Sequence, residues 1–232
     1  MRVHRFFVDE PLRSGEEVVI HSPEITHQWK NVFRFHTGNQ VILLDNTGQE
    51  FLALIEIISI EITKVRIIEG SKSKNIPKKE IYLFAALIKK DNFEWILEKG
   101  TELGVSHFIP ILADRSEKKD INKERGDKII CEAAEQSERG ILPKLYEPMT
   151  LDVALEAFPE IDHIAFHLDG KKFPKDEYTK EKKLGIHIGP EGGWSEREVE
   201  LFVEQKIPLY TTGPQVLKAE TAAIAVASLL LL

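Results

Sequence analysis

Two short stretches carry the residue types and spacing from which a site can be built. The first is 187-HIGPEGGWSEREVE-200, where a short apolar run ends in Gly189-Pro190-Glu191-Gly192-Gly193. Three glycines in five residues give a backbone that bends sharply and admits close approach. The second is 211-TTGPQVLKAETAAIAVASL-229, where another Gly-Pro pair is followed by Val216-Leu217, Lys218 and Glu220. No Gly-Lys-Ser/Thr follows either loop, so neither is a Walker loop. The first also lacks the spacing and early position of a dinucleotide fingerprint. The carboxylate of Glu191 would repel phosphate, so that loop suits a ligand bearing positive charge or hydrogen-bond donors. If the strands before the two loops are neighbours, the loops face each other across one crevice. Backbone groups from both would then grip a flat heterocycle, with Leu217 against its faces.

The elements that must position these loops are legible as patterns. Ser195 and Glu198 form a capping box for a helix running to about Gln205, and Glu220-Thr221 open an Ala-rich helix. From residue 81 onward, strand and helix signals alternate. Strands are expected at Ile81–Leu87, Val105–Leu112, His163–Leu168, Leu184–Ile188 and Pro208–Thr211, with helices over 90–103 and 121–139. Alternation of this kind means a parallel sheet covered by helices, whose ligands bind at the carboxyl ends of the strands. Before residue 70 the chain reads as β, with strands at Glu17–His21, Gln40–Asp45, 49–59 and 61–69 and a turn at Asn46-Thr47-Gly48. A short helix is expected over 24–35. Such short strands suggest a small barrel. The polar segment 70-GSKSKNIPKKE-80 is the linker candidate, which divides the chain into domains at 1–72 and 73–232.

Of the 232 residues, 42% are hydrophobic and 30% are charged, as in an ordinary soluble protein. The formal net charge of −7 argues against a generally basic surface, although a local basic patch survives inside an acidic total. The single cysteine, Cys131, can make no internal disulfide and no multi-cysteine zinc site. The histidines lack metal-ligand spacing, so no metal is expected. No run is long enough to span a membrane and no signal peptide is seen, so the reading is cytoplasmic.

The order of the motifs resembles a known family. IGPEGG before a capped helix, then GPxxLxxETA about twenty residues on, is similar to the ribosomal RNA small subunit methyltransferase E family of the SPOUT superfamily. Residues 27-HQWKNVFRFHTGN-39, 98-EKGTELGVSHFIPILADRSEKK-119 and 132-EAAEQSERGILPKL-145 resemble further segments of that family, in the family's order. The resemblance covers nearly the whole chain. It implies an α/β fold with a SPOUT-type C-terminal domain, a deep trefoil knot and a parallel sheet. It also implies a small N-terminal PUA-like β-barrel that binds RNA. The implied activity is S-adenosylmethionine-dependent methylation of N3 of a uridine in 16S ribosomal RNA, by a homodimer acting on the 30S subunit.

The roles implied by the resemblance fall on three sets of residues. The cofactor is held by Ile188, Gly189, Pro190, Gly192 and Gly193 of the first loop. Thr212, Gly213, Pro214, Val216 and Leu217 of the second loop complete the grip, with Leu168 and Gly170 at the end of a third strand. Glu191 and Glu220 are the carboxylates nearest the reacting centre, candidates for taking the N3 proton. Arg2, Arg5, Arg34, Arg115, Arg139 and Lys218 are candidates for contacts to RNA. In the second loop Gln215 and Lys218 stand where the family usually has arginines; lysine keeps the charge but loses the bidentate fork. Two alternatives stay open: an RNA-binding protein of this fold without catalysis, and a methyltransferase of the same superfamily acting on another base.

Overall fold

A computed structural model of the chain describes residues 3–59, 62–178 and 180–232. It divides into two compact units. One comprises residues 1–76 with 134–142, the other 77–133 with 143–232.

The first unit is built on a curled mixed sheet. Its strands are β1 (Arg5–Phe7), β2 (Glu17–Ile20), β3 (Gln40–Leu44), β4 (Gln49–Ile58) and β5 (Thr63–Lys72), in the spatial order β1-β3-β4-β5-β2. β1 pairs in parallel with β3 and the other pairs are antiparallel. Alternation decides the core: Phe51, Ala53 and Ile55 of β4 point inward with Val41 and Leu43 of β3, while the residues between them stay partly exposed. Two register shifts in the β4–β5 ladder bend the sheet around that core. Phe6 and Trp29 are fully buried within it, and Phe35 nearly so. The phenylalanines of the N-terminal stretch are therefore core and not surface.

Three expectations for this unit are corrected. The helix over 24–35 is only α1 (Pro23–His27), which passes into a π turn at Gln28–Val32. Phe33 N donates to Gln28 O at 3.0 Å, and this wider turn leaves Val32 in solvent while Trp29 stays buried. β5 runs on through Gly70, Ser71 and Lys72, so the candidate linker begins as strand. β1 was not anticipated, because three residues carry no readable period.

The second unit is a six-stranded parallel sheet. β6 (Glu80–Ala86) and β7 (His107–Ile111) are separated by α2 (Lys90–Leu103). α3 (Lys123–Gln136), whose last turn counts with the first unit, leads to β8 (Lys144–Leu145) and α4 (Leu151–Ala157). β9 (His163–Lys172), β10 (Lys183–Ile188), α5 (Glu196–Glu204), β11 (Leu209–Thr211) and α6 (Ala219–Leu231) complete it. The spatial order is β11-β9-β10-β6-β7-β8. From Ile81 to Ala86 β6 is apolar and buried, because both faces are covered. Tyr82, Phe84 and Ala86 pack with Ile109, Ile111, Leu151, Ala154 and Phe202 on one face. Ile81 and Leu83 turn to the other, where α6 packs on α2 and against β6 and β10.

This order corrects one premise of the crevice. The strands before the two Gly-Pro loops, β10 and β11, are not neighbours: both pair with β9, which runs between them. β9 is also longer than expected. Beyond Leu168 it continues through Asp169-Gly170-Lys171-Lys172, and after an irregularity Lys171 and Lys172 pair with Tyr210 and Thr211. β8 and α4 were not anticipated. Among the described residues, no helix is long and apolar enough to cross a membrane.

Candidate active site

The carboxyl ends of β10 and β11 and the middle of β9 surround a cavity of about 360 Å³ within the second unit. Its walls are Phe166–Asp169 of β9, the loop Ile188–Trp194, and Tyr210–Thr212 with Gln215–Leu217. Ala219 and Ala222 of the first turns of α6 close it, and Arg115 reaches in from the segment after β7. Leu168 and Val216 are 61% and 76% exposed, large apolar side chains held at the edge of the cavity and not in the core.

Tertiary contacts hold the first loop in shape. Trp194 is buried, and its Nε1–H donates to Phe166 O at 3.2 Å, tying the loop to β9. Gly189 lies flat against the indole; a Cβ there would come within 3.2 Å of the ring. Gly193 N donates to Pro190 O at 2.8 Å, closing the turn. Arg115 clamps the far side: its Nη1 donates to Gly192 O at 2.9 Å and to Trp194 O at 3.3 Å.

The segment carrying Arg115 is itself fixed to α5. Ser195 and Glu198 form the anticipated capping box. The fully buried Glu198 carboxylate accepts from Ser195 N at 2.8 Å and from Asp114 N at 3.1 Å. Arg197 forks onto Asp114 at 3.1 and 3.0 Å and reaches both oxygens of Asp152 at 3.1 Å. The Arg197 guanidinium, with the Ser195 hydroxyl, holds the Asp114 carboxyl below its usual pKa. One cap thus locks two segments that are distant in sequence.

Behind the cavity, β9 and β10 share a histidine pair. His163 Nε2 lies 2.9 Å from Phe158 O, so that nitrogen carries the proton. His163 Nδ1 is therefore the acceptor for His187 Nε2–H, at 2.9 Å. His187 is fully buried, stacked on Phe84 with ring centroids 4.3 Å apart. Burial pushes both pKa values down, that of His187 far below the ordinary value, so the pair is neutral.

The anticipated residues distribute unevenly. Leu168, Ile188, Gly189, Pro190, Glu191, Gly192, Gly193, Thr212, Val216, Leu217 and Arg115 all line the cavity. Gly213, Pro214 and Lys218 lie in the second loop but off its wall, Lys218 being the exposed residue before α6. Gly170 is also off the wall. A Cβ there would fall 2.4 Å from the Tyr210 carbonyl carbon, so glycine is required for β11 to approach β9. Glu220 opens α6 away from the lining, yet its Oε2 is buried and meets no hydrogen-bond partner. Phe166, Trp194, Tyr210 and Gln215 line the cavity and were not foreseen. Trp194, directly after the Gly-Gly pair, was the one readable sign.

The basic candidates of the first unit are placed separately. Arg5 Nη1 pairs with Glu138 at 3.2 Å. Arg34 is exposed, with a left-handed φ of 55°. Arg139 is buried, and burial lowers its pKa to about 10, so it remains charged at neutral pH. Arg2 lies outside the described residues.

The RNA methyltransferase domain model matches residues 74–231, which include every wall of the cavity. Ribosomal RNA small subunit methyltransferase E of Bacillus subtilis is 32% identical over 96% of this chain and 93% of its own length. The chain belongs to the ribosomal RNA small subunit methyltransferase E family. A second member, from Helicobacter pylori strain J99, is 34% identical over 96% of this chain and 98% of its own. A methyltransferase-fold structure from Legionella pneumophila, solved with SAM as bound cofactor, superposes with a TM-score of 0.91 at 30% identity. It covers 99% of this chain and 97% of that one.

Proposed function

We propose that this chain transfers a methyl group from S-adenosylmethionine to N3 of a uridine in 16S ribosomal RNA of the small subunit. The observation that carries the reading is the cavity at the carboxyl ends of β10 and β11 beside the middle of β9, with a rigid glycine loop on one side and an apolar edge on the other. The residues suit the cofactor. Glu191 brings negative charge to a wall where a positive sulfonium is welcome and a phosphate is not. The backbone of 188–193 offers donors and acceptors, and Leu168, Val216 and Leu217 offer surface for a flat purine. Support also comes from family membership and from the SAM-bound Legionella neighbour.

The bound cofactor supplies an electrophilic methyl group; the chain's part is alignment and proton removal. Arg115 and Trp194 keep the loop from relaxing, so the pocket is preformed. Neutral uracil carries a proton on N3, which must leave for nitrogen to bond to carbon. Glu191 on the wall and Glu220, with its unpartnered buried oxygen, are the two carboxylates we assign as candidates to receive it.

The finer architecture belongs to the same reading. We take the curled sheet of the first unit as a PUA-like barrel that grips RNA, with Arg34 on its exposed surface. The return of β11 to the far side of β9, followed by α6 packing across β10 and β6, supports a trefoil knot. The exposed Leu229 and Leu232 at the end of α6 support a homodimer. The setting is the cytoplasm, where the 30S subunit is found.

The test is transfer of labelled methyl from S-adenosylmethionine to 30S subunits lacking uridine-N3 methylation. The native chain labels N3 of one uridine, and Gly189→Val, which crowds the Trp194 indole, does not. Label on another base would replace the target while keeping the chemistry. No transfer, with no calorimetric binding of the cofactor, would sink the enzyme reading.

A further inference from the structure

A second cavity, of about 340 Å³, lies in the same unit at the same end of the parallel sheet. Its apolar wall is Ile88, just beyond β6, with Phe93 and Leu97 of α2 and Ile121 ahead of α3. Lys90 and Lys118 bring two ammonium groups, and Glu94, Asp120 and Asn122 supply the remaining polar atoms. Glu94 is already engaged, since both its oxygens accept from Arg125 at 2.6 and 2.7 Å and Lys90 stands 3.7 Å away. Asn122 spends its Oδ1 on Arg125 N at 2.9 Å, which leaves its amide N–H groups as donors. Asp120 remains as an acceptor. The cavity thus presents the Asp120 acceptor beside donors from the Asn122 amide and the two ammonium groups, next to an apolar wall.

Its relation to the methyl-transfer cavity follows from the chain. Arg115 lines the first cavity and Lys118 the second. Three residues span at most about 11 Å fully extended, so the backbones of these two lining residues, one on each cavity, lie within that distance. Small-ligand pockets run from about 300 to 1,000 Å³. The second cavity is at the low end of that range, large enough for a single base and too small for a duplex. Proteins that read RNA sequence do so on unstacked bases, through apolar contact with the ring and hydrogen bonds to its edge.

We propose that this second cavity takes an unstacked base of the RNA substrate, from a neighbour of the methylated nucleotide. The inference rests on the RNA methyltransferase reading above. Every base presents a donor and an acceptor side by side on its Watson–Crick edge, which complements Asp120 and the Asn122 amide. Lys118, exposed at the rim, faces the phosphate that joins this nucleotide to the next.

The experiment measures methyl transfer to unmethylated 30S subunits as a function of subunit concentration, with cofactor affinity measured separately by calorimetry. Ile121→Trp fills the cavity from a segment outside any helix, and Lys118→Glu reverses the charge at its rim. Ile121→Trp is expected to raise KM for the subunit about tenfold or more, and Lys118→Glu about threefold to tenfold. Both leave the cofactor Kd within about twofold. Subunits with an abasic residue in place of the neighbouring nucleotide should show the same rise with the native chain, and no further rise with Ile121→Trp. Native KM in both variants would overturn the inference while leaving the methyltransferase reading intact. No transfer by the native chain would remove both. If Ile121→Trp loses cofactor binding, Lys118→Glu decides alone.

Discussion

Arg115 shows how much a single side chain contributes to a loop made of glycine. Its guanidinium donates to two carbonyls, Gly192 O and Trp194 O. A hydrogen bond from a charged donor is worth about 1.5–3 kcal/mol. The bonds here are partly exposed, so Arg115→Ala is expected to weaken S-adenosylmethionine binding about tenfold in calorimetry, with little change in the unfolding temperature. Unchanged affinity would mean that the loop holds its shape unaided. The histidine pair makes a different residue-scale prediction. Both histidines have folded-state pKa values below the ordinary value of about 6.5. Between that value and the depressed one, the unfolded chain binds more protons than the folded chain. Stability is therefore complete above about pH 6.5 and falls as the pH drops below it, by up to about 1.4 kcal/mol per pH unit for each group. Urea unfolding of the native chain and of His187→Phe between pH 5 and 8 should show a shallower acid limb in the variant. Equal slopes would mean that the pair is not held neutral.

At the scale of elements, two features tie the walls of the cavity together. The capping box of α5 also accepts from Asp114 N, so Glu198→Ala strands two backbone donors at once. We expect a loss of about 2 kcal/mol, or about 4–8 °C in the unfolding midpoint, together with weaker cofactor binding as Arg115 loses its support. Gly170→Ala places a methyl group against the backbone of Tyr210. Since Tyr210 and Thr211 line the cavity, parting β11 from β9 should abolish cofactor binding while the first unit keeps its circular dichroism. How much of this was legible in the sequence depended on the range of the interactions. The continuous apolar runs of β6, β7 and β10 and the capping box of α5 are local signals, and they were read correctly. β1 and β8 are too short to show a period. The second half of β9 is polar, because there it pairs with only a three-residue strand. The π turn at Gln28–Val32 differs from an α-turn by one residue, which no side-chain pattern marks. Arg115 was singled out for RNA, yet its hydrogen bonds go to carbonyls 77 and 79 positions away. Backbone acceptors leave no trace in composition.

Seen whole, the molecule does not divide where the chain would be cut. The first unit takes in residues 134–142 after more than fifty residues of the second. Glu135 Oε1 accepts from Phe7 N at 3.0 Å, Asn46 Oδ1 accepts from Leu142 N at 2.7 Å, and Gly140 N donates to Asn75 O at 3.2 Å. Gly140 also sits where a Cβ would fall 2.3 Å from that of Ser73. A fragment of residues 1–76 is therefore expected to lack a cooperative thermal transition, and addition of a peptide spanning 134–142 should partly restore one. Cooperative unfolding of the fragment alone would contradict this. The strand order has a consequence in time. Apart from Arg115, every residue on the cavity comes from positions 166–222, and β11, which forms the far edge, follows the other described strands in the chain. A chain emerging from the ribosome has no such cavity until Ala222 is free. A nascent copy is therefore expected to bind no cofactor before that point.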